Sequence, residues 1–428
     1  MSTPFLLIAY RLATAIAEPF APLILAGRAR RGKEDRARLG ERLGRAGVQR
    51  PPGPLVWLHG VSVGESLSLL PLAQALRGER PDIGLLVTSG TQTSATILAQ
   101  RLPKGAIHQY APIDGPRAVA RFLDHWRPTL AVFVESELWP NLLTQARRRG
   151  VKTTLLSAKL SDTSARTWSY APAMARELMG GFDLLLAQDE QAAERFLTFD
   201  VCADGMADLK FGADLLPVDG PRLDHTRAAL VDRPVLLAAS THPGEDEIVL
   251  ARFAAVLKSP EIAARQPLLV IAPRHPDRGA AIVELARAQG LTVAQQSAGG
   301  NPDLERVQVL VADVLGELGL WYRLAWLAVI GGSLVEGLAG HNPLEPARLH
   351  CPFISGPHVS NWTTAYGELQ LADAVKIVTD GAAIEDYFQA AIGLDGRLTA
   401  MAARALAYVE QKDGEARAVP ALILDLLP

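Results

Sequence analysis

Cysteine is nearly absent from the chain. Only Cys202 and Cys351 occur, too few for a disulfide framework and without the spacing of a metal-binding pair. That excludes a stapled secreted scaffold and suits a reducing cytoplasm. An excess of charge is lacking too: Lys+Arg 43 against Asp+Glu 46 leaves a formal net charge of −3. No global attraction to nucleic acid follows, so an anionic partner must be met by a local patch. Several catalytic signatures are missing as well. There is no P-loop lysine pattern, no GxGxxG after the first expected strand and no GxSxG elbow of a serine hydrolase. His and carboxylate residues are spread one per loop, so no metal is expected. Short repeats and low-complexity tracts do not occur.

A clean membrane-spanning run is also wanting. Phe5–Ala26 is strongly apolar but interrupted by Arg11, Glu18, Pro19 and Pro22, and no small-residue cleavage site follows. Arg28, Arg30, Arg31, Lys33, Arg36 and Arg38 come next. An apolar segment with a basic flank suits monotopic attachment to an anionic leaflet from the cytoplasmic side. Residues 1–49 are therefore set apart as a membrane-associating segment, with a helix packed on its own domain or a simple spanning anchor as the plainer readings.

A chain of 428 residues exceeds what one core usually supports. After residue 50 expected strands and helices alternate. Strands are expected at Leu55–Leu58, Gly84–Thr88, Leu130–Val134, Thr153–Ser157 and Asp183–Ala187, then at Val235–Ala239, Leu268–Ala272, Val307–Val311 and Leu324–Ile330. This alternation implies parallel sheets covered on both faces, an α/β class with two doubly wound Rossmann-like domains facing across a cleft. The expected boundaries are 50–216 for the first domain, 217–233 for a linker marked by Pro217 and Pro221, and 234–428 for the second. The last helix is left open to packing back on the first domain.

Chemistry-bearing residues gather where strands end, the place where such sheets bind ligands. WLHGVSVGE at 57–65 puts Glu65 near a helix start, where a carboxylate either compensates the helix dipole or takes a proton. VESELWPN at 134–141 ends a buried strand with Glu135 and Glu137. STHPGE at 240–245 reads as a capped turn. APRHP at 272–276 offers Arg274 for bidentate phosphate recognition. In the turn Gly316-Glu317-Leu318 the backbone amides can approach a ligand while Glu317 accepts from a ribose or base. GGSLVEGLAGHNPLEP at 331–346 follows an apolar strand. There Asn342 and Pro343 should open a helix whose free N–H groups face an anion, with Glu345 in its first turn. A nucleotide-sugar site is the best reading of that turn.

Seven motifs in chain order together resemble the 3-deoxy-D-manno-octulosonic acid (Kdo) transferases of lipopolysaccharide synthesis. They are WLHGVSVGES at 57–66, ESELWPN at 135–141, LKF at 209–211, ASTHPGE at 239–245, APRHP at 272–276, GEL at 316–318 and the run at 331–346. The resemblance implies an inverting, metal-independent glycosyltransferase of the GT-B type on the cytoplasmic face of the bacterial inner membrane. Its donor substrate is CMP-Kdo, its acceptor a lipid A precursor (lipid IVA), and no further cofactor is needed. It implies Glu65 as general base, and Glu135 or Glu137 with Lys210 as support for the transition state. Pro273, Arg274, Gly316, Glu317, Leu318, Asn342, Pro343, Leu344 and Glu345 would hold the CMP. Domain closure would then join base and donor. Expected partners are CMP-Kdo, the lipid A precursor and anionic inner-membrane lipids, with no nucleic acid; the oligomeric state is open.

The chain departs from the family pattern at several positions. Ala207-Asp208 stand where glycine-asparagine is usual, and Asp208 beside Lys210 could blunt its charge. No proline occurs in Thr88–Gln92, Lys159 replaces the usual arginine, and Ala339 stands where glycine is expected. The competing readings are a GT-B transferase for another nucleotide sugar, a nucleotide-sugar epimerase, and a non-catalytic membrane scaffold. The apolar N-terminus argues against the epimerase, and the strand-end carboxylates against the scaffold.

Overall fold

A computed structural model describes residues 3–212, 215–299 and 303–428. It divides into two compact units, Met1–Ala213 with Lys412–Pro428, and Asp214–Gln411. The first is built on β1 (Leu55–His59), β2 (Gly84–Ser89), β3 (Ile107–Tyr110), β4 (Leu130–Val134), β5 (Lys152–Ala158), β6 (Leu184–Ala187) and β7 (Gly205–Met206). The second holds β8 (Val235–Thr241), β9 (Leu268–Pro273), β10 (Val293–Gln295), β11 (Val309–Val311), β12 (Leu327–Ile330), β13 (Phe353–Ser355) and β14 (Lys376–Ile377). Their orders are β3-β2-β1-β4-β5-β6-β7 and β10-β11-β9-β8-β12-β13-β14, with every pairing parallel. The central strands are buried along their whole length, as sheets covered by helices on both faces require.

In both sheets the strand order reverses between two central neighbours, β1 and β4 in one, β8 and β12 in the other. Chains leaving these neighbours go to opposite faces of the sheet, which opens a crevice at the carboxyl ends. The first core packs Trp57, Phe122, Trp126 and Phe133 together; the second centres on Phe253, Phe388, Ile271 and Val329.

Some sequence expectations are corrected. Residues 217–233, expected as a linker, hold a helix at Gly220–Leu230 capped by Asp219, and they belong to the second unit. A strand was expected from Leu324, but Leu318–Leu324 is helical and β12 begins at Leu327. The edge strands β3, β7, β10 and β14 and the inner strand β13 were missed, since each is four residues or fewer and several carry polar residues. The final helix, Gly396–Leu424, contributes its residues from Lys412 onward to the first unit, where Val419 and Ile423 are buried beside Leu69 and Leu76.

The N-terminal segment forms two helices, α1 (Phe5–Ala17) and α2 (Ala21–Arg30), joined by a short 3-10 turn. Its polarity is inverted relative to a surface helix. The face docked on the first unit carries Leu7, Tyr10, Thr14 and Glu18. Tyr10 Oη donates to Asp114 Oδ2 at 2.9 Å, Asn141 Nδ2 donates to Thr14 Oγ1 at 2.9 Å, and Glu18 accepts from the amides of Arg117 and Ala118. Phe5, Leu12, Ile16, Phe20 and Leu23 are exposed. By length and composition Phe5–Arg30 could also cross a bilayer.

Candidate functional site

In the first unit the strand-end motifs converge at the β1/β4 switch point. After β1 the chain turns through Gly60 and enters the helix Val63–Glu79, with Ser62 as N-cap. Ser62 Oγ accepts from the Glu65 amide at 3.2 Å. The Glu65 carboxylate reaches back to the amides of Val61 at 2.7 Å and Ser62 at 3.3 Å. This is a capping box, readable in the sequence as Ser62-x-x-Glu65. Each carboxylate oxygen of Glu65 takes one backbone N–H and retains further acceptor capacity.

After β4, Glu135 adopts the left-handed region at φ 56°, a conformation that costs a non-glycine residue about 1–3 kcal/mol and tends to occur at working sites. The bend is held by two backbone bonds, Glu135 N–H to Leu156 O at 3.0 Å and Lys159 N–H to Glu135 O at 3.1 Å. Lys210 Nζ lies 3.4 Å from Glu135 Oε1. The concern that Asp208 would neutralise Lys210 is not realised. Asp208 accepts instead from the Lys210 amide and from Gln188 Nε2, each at 2.9 Å, which leaves the ammonium to Glu135.

Glu137, two residues on, has different partners. Its Oε2 accepts from Trp139 Nε1 and faces His59 Nε2 at 3.3 Å. Behind His59, its Nδ1 and Trp57 Nε1 both lie 2.8 Å from Thr88 Oγ1. Glu65, Glu135, Glu137 and Lys210 thus all belong to one end of one sheet.

In the second unit the β8/β12 switch point is held by a carboxylate the sequence reading treated as ordinary capping. Glu245 is fully buried and accepts four backbone N–H groups, from His242 at 2.9 Å, Gly332 at 2.7 Å, and Ser333 and Leu334 at 2.8 Å each. It clasps the loop after β8 to the glycine turn after β12. Gly332 sits at φ 69°, and a Cβ there would lie 2.8 Å from the His341 ring. His242 and His341 stack with ring centroids 5.2 Å apart and Nε2 atoms at 3.0 Å, so one ring nitrogen donates and the other accepts. Burial lowers the pKa of both; His275 adds to the effect at His242, His242 adds to it at His341, Arg274 adds to it at each, and Glu245 opposes it.

Pro273 ends β9 and Arg274 follows it, exposed; among the described residues its guanidinium has no hydrogen-bond or ion-pair partner. The other expected nucleotide contacts are more constrained. Glu317 is clamped by Arg222 through two 2.7 Å contacts, so both its oxygens are engaged. Gly316 is exposed at φ 88°, and Leu318 begins the helix behind it. The helix expected to open at Asn342-Pro343 is a single turn, Leu344–Arg348, with Pro343 in the cap position and Leu344 buried. Asn342 Oδ1 accepts the Leu344 amide at 3.0 Å, and its Nδ2 lies 3.4 Å from Glu345 Oε1. One N–H expected to face an anion is therefore already satisfied. Burial raises the Glu345 pKa, opposed by Asn342 and nearby arginines. Among the described residues no cluster of three or more His, Cys, Asp or Glu could hold a metal ion.

A cavity of about 430 Å3 lies between α1, α2 and the first unit, lined by Tyr10, Ala17, Ala21, Ile24, Leu25 and Trp139 among others. Asp114 also lines it, and burial pushes its carboxyl up to about 6 despite bonds from the Asn141 and Leu142 amides and Tyr10. Sequence reasoning missed His59, Thr88, Glu245, Arg222 and Asp114. Of these, Asp114 in the turn Asp114-Gly115-Pro116 and Glu245 in STHPGE carried a local signal, that of a turn and helix start.

Two all-parallel Rossmann-like units with polar strand ends give the chain a GT-B-type fold. The fold is shared, at 14% identity, with the UDP-GlcNAc 2-epimerase of Neisseria meningitidis bound to UDP-GlcNAc, at a TM-score of 0.54 over 87% of this chain and 99% of that one. Residues 37–213 match the family described as 3-deoxy-D-manno-octulosonic-acid transferase (kdotransferase). The 3-deoxy-D-manno-octulosonic acid transferase of Bordetella pertussis is 33% identical over 383 residues, 88% of this chain and 89% of that protein. The probable mitochondrial 3-deoxy-D-manno-octulosonic acid transferase of Arabidopsis thaliana is also 33% identical, over 86% of this chain and 84% of that protein. The chain belongs to the Kdo transferase family, the glycosyltransferases of lipopolysaccharide synthesis.

Proposed function

We propose that the chain transfers Kdo from CMP-Kdo to a hydroxyl of a lipid A precursor (lipid IVA), with inversion and without a metal ion. The observation that carries this reading is the first unit's switch point, where Glu65, Glu137 and the Glu135–Lys210 pair share one sheet end. The acceptor oxygen attacks the anomeric carbon of Kdo, the bond from that carbon to the CMP phosphate oxygen breaks, and the acceptor proton passes to Glu65. Attack opposite the leaving CMP inverts the anomeric centre. Glu65 can take this role because a capping box orients the carboxylate without exhausting its acceptor sites. Lys210 supplies positive charge where charge builds up, and Glu135 sets its direction.

The second unit is assigned the CMP. Arg274, whose guanidinium has no hydrogen-bond or ion-pair partner among the described residues, is suited to the phosphate. Pro273, the Gly316–Leu318 turn and Asn342–Glu345 line the neighbouring strand ends. Because Glu317 is already bound to Arg222, the turn's exposed backbone at Gly316 is the better contact for the nucleotide.

The lipid acceptor is supported by the N-terminal helices. Their apolar residues point outward while Tyr10, Thr14 and Glu18 anchor them inward, the polarity of a helix pair lying in a leaflet. The cavity beneath them reaches Trp139, whose indole bonds to Glu137. Arg28, Arg30, Arg31 and Lys33 follow the apolar run, so anionic lipid of the inner membrane's cytoplasmic leaflet is the proposed surface.

The test is transfer from freshly generated CMP-Kdo to a tetraacylated lipid A precursor with EDTA present, read by mass spectrometry. A product heavier by one or more Kdo units is expected. No product from folded protein that still binds CMP would overturn the acceptor assignment, and loss of product on EDTA addition would overturn metal independence.

A further inference from the structure

Two carboxylates leave β4 within three residues, and they are equipped differently. Glu135 is paired with Lys210. Glu137 has one oxygen, Oε2, held from two sides by Trp139 and His59, while Oε1 accepts no hydrogen bond among the described residues. The His59 side chain is only 2% exposed and that of Glu137 14%. His59 packs edge-on against Phe133, with ring centroids 5.5 Å apart. An ordinary core histidine has both ring nitrogens satisfied within the core. Here Nε2 is sealed from solvent, makes no aligned hydrogen bond, and has the Glu137 carboxylate as its facing acceptor.

The tautomer follows from counting donors. Thr88 Oγ1 lies 2.8 Å from both Trp57 Nε1 and His59 Nδ1. The indole can only donate, so the hydroxyl accepts from Trp57. Thr88 has one proton to give, and among the described residues its only acceptor is His59 Nδ1. With Nδ1 accepting, a neutral imidazole carries its proton on Nε2, directed at Glu137. Any arrangement with a proton on Nδ1 strands the buried Thr88 hydroxyl. The relay Trp57–Thr88–His59–Glu137 therefore runs one way, from the core to the strand end. Contacts of this kind are often loosely aligned before substrate binds and tighten afterwards.

We propose that His59, its tautomer set by Thr88, is a positioning residue for Glu137. It holds Oε2 so that Oε1 accepts a hydroxyl of the acceptor sugar. This rests on the Kdo-transfer reading for the identity of that sugar. The relay itself does not depend on it.

Two measurements test the proposal. The first needs no turnover: nitrogen-15 correlation spectra of the histidine side chains in the intact protein, assigned by the loss of one ring on His59→Gln. A neutral His59 with its proton on Nε2 is expected, shifting to mixed tautomers in Thr88→Val. A proton on Nδ1 in the wild type would overturn the relay.

The second is steady-state kinetics of His59→Phe, Glu137→Gln and the double variant, with melting temperatures as a check on folding. A misplaced contact costs about 100-fold in extreme cases. A drop of roughly 10- to 100-fold in kcat/KM for the acceptor is expected from each single variant, with CMP affinity unchanged. The double variant should lose no more than the worse single one, and His59→Gln, which restores a donor near Nε2, should recover much of the loss. Losses that multiply in the double variant, or no rescue by Gln in folded protein, would overturn the positioning role. A wild type that binds CMP but transfers nothing to the lipid would instead sink the transfer reading, and the spectra would still decide the relay.

Discussion

The two units share one architecture and differ in what their switch points present. In the first, carboxylates stand at the strand ends: Glu65 in a capping box, Glu135 on a left-handed bend, and Glu137 backed by an imidazole. In the second, the corresponding carboxylate, Glu245, is buried and spent on four backbone amides, and what remains at the rim is the Arg274 guanidinium, unpaired among the described residues, and stacked imidazoles. One fold position thus holds the proposed proton acceptor, Glu65, in one unit and an internal clasp, Glu245, in the other. The difference lies in where the carboxylate sits relative to the glycine turns. Glu245 lies under the Gly331-Gly332 turn, which brings amides down onto it, whereas Glu65 accepts only from Val61 and Ser62 of its own loop.

This contrast can be broken most sharply at Glu65. Glu65→Gln should lower transfer by about 100- to 10,000-fold, the range of a lost general base, with CMP affinity and folding retained because glutamine still serves a capping box. Substantial turnover across several pH values would remove Glu65 as base. Next in size is Glu245→Gln, which sets an NH2 group against amides that need an acceptor. A loss of roughly 3 kcal/mol is expected, measured by urea unfolding and confined to the second unit in hydrogen exchange; a stability change below about 0.5 kcal/mol, the usual range of a surface substitution, would refute the clasp.

Arg274→Ala should weaken CMP binding by roughly 1.5–3 kcal/mol, the worth of a charge-assisted bond. Unchanged affinity by calorimetry would take the phosphate away from Arg274. The smallest effect concerns the N-terminal helix dock. The Asp114 pKa is raised from 3.8 to about 6 in the folded chain. Its contribution to stability is therefore full below about pH 3.8 and is lost as pH rises through about 6. Asp114→Asn should flatten that slope by about 2 kcal/mol between pH 4 and 7, and identical slopes in the two proteins would show that Asp114 titrates normally.

Much of the fold was legible because buried parallel strands are continuous apolar runs, as at Leu130–Val134 and Leu268–Ala272. Edge strands such as Lys376–Ile377 gave no such run, and the Asp219-Gly220-Pro221 helix start was mistaken for a linker because its proline sits in a helix's first turn. At the site, Glu65, Glu135, Glu137 and Arg274 stood out as polar residues abruptly ending apolar strands. His59 and Thr88 did not, because a buried histidine or threonine inside a strand looks in sequence like any other core residue.

The sequence by itself determined the α/β class, the seven ordered motifs and hence the family, and the apolar N-terminus with its basic flank. These are local: each depends on residues within about one strand and one turn. Only the tertiary structure decided that Glu135 rather than Asp208 pairs with Lys210, that Glu317 is held by Arg222, and that Glu245 serves as a clasp. It also decided the inward polar face of α1 and the line from Thr88 through His59 to Glu137. Such pairings join residues far apart in the chain, and the strand order and helix packing that make them neighbours are set across the whole of each unit.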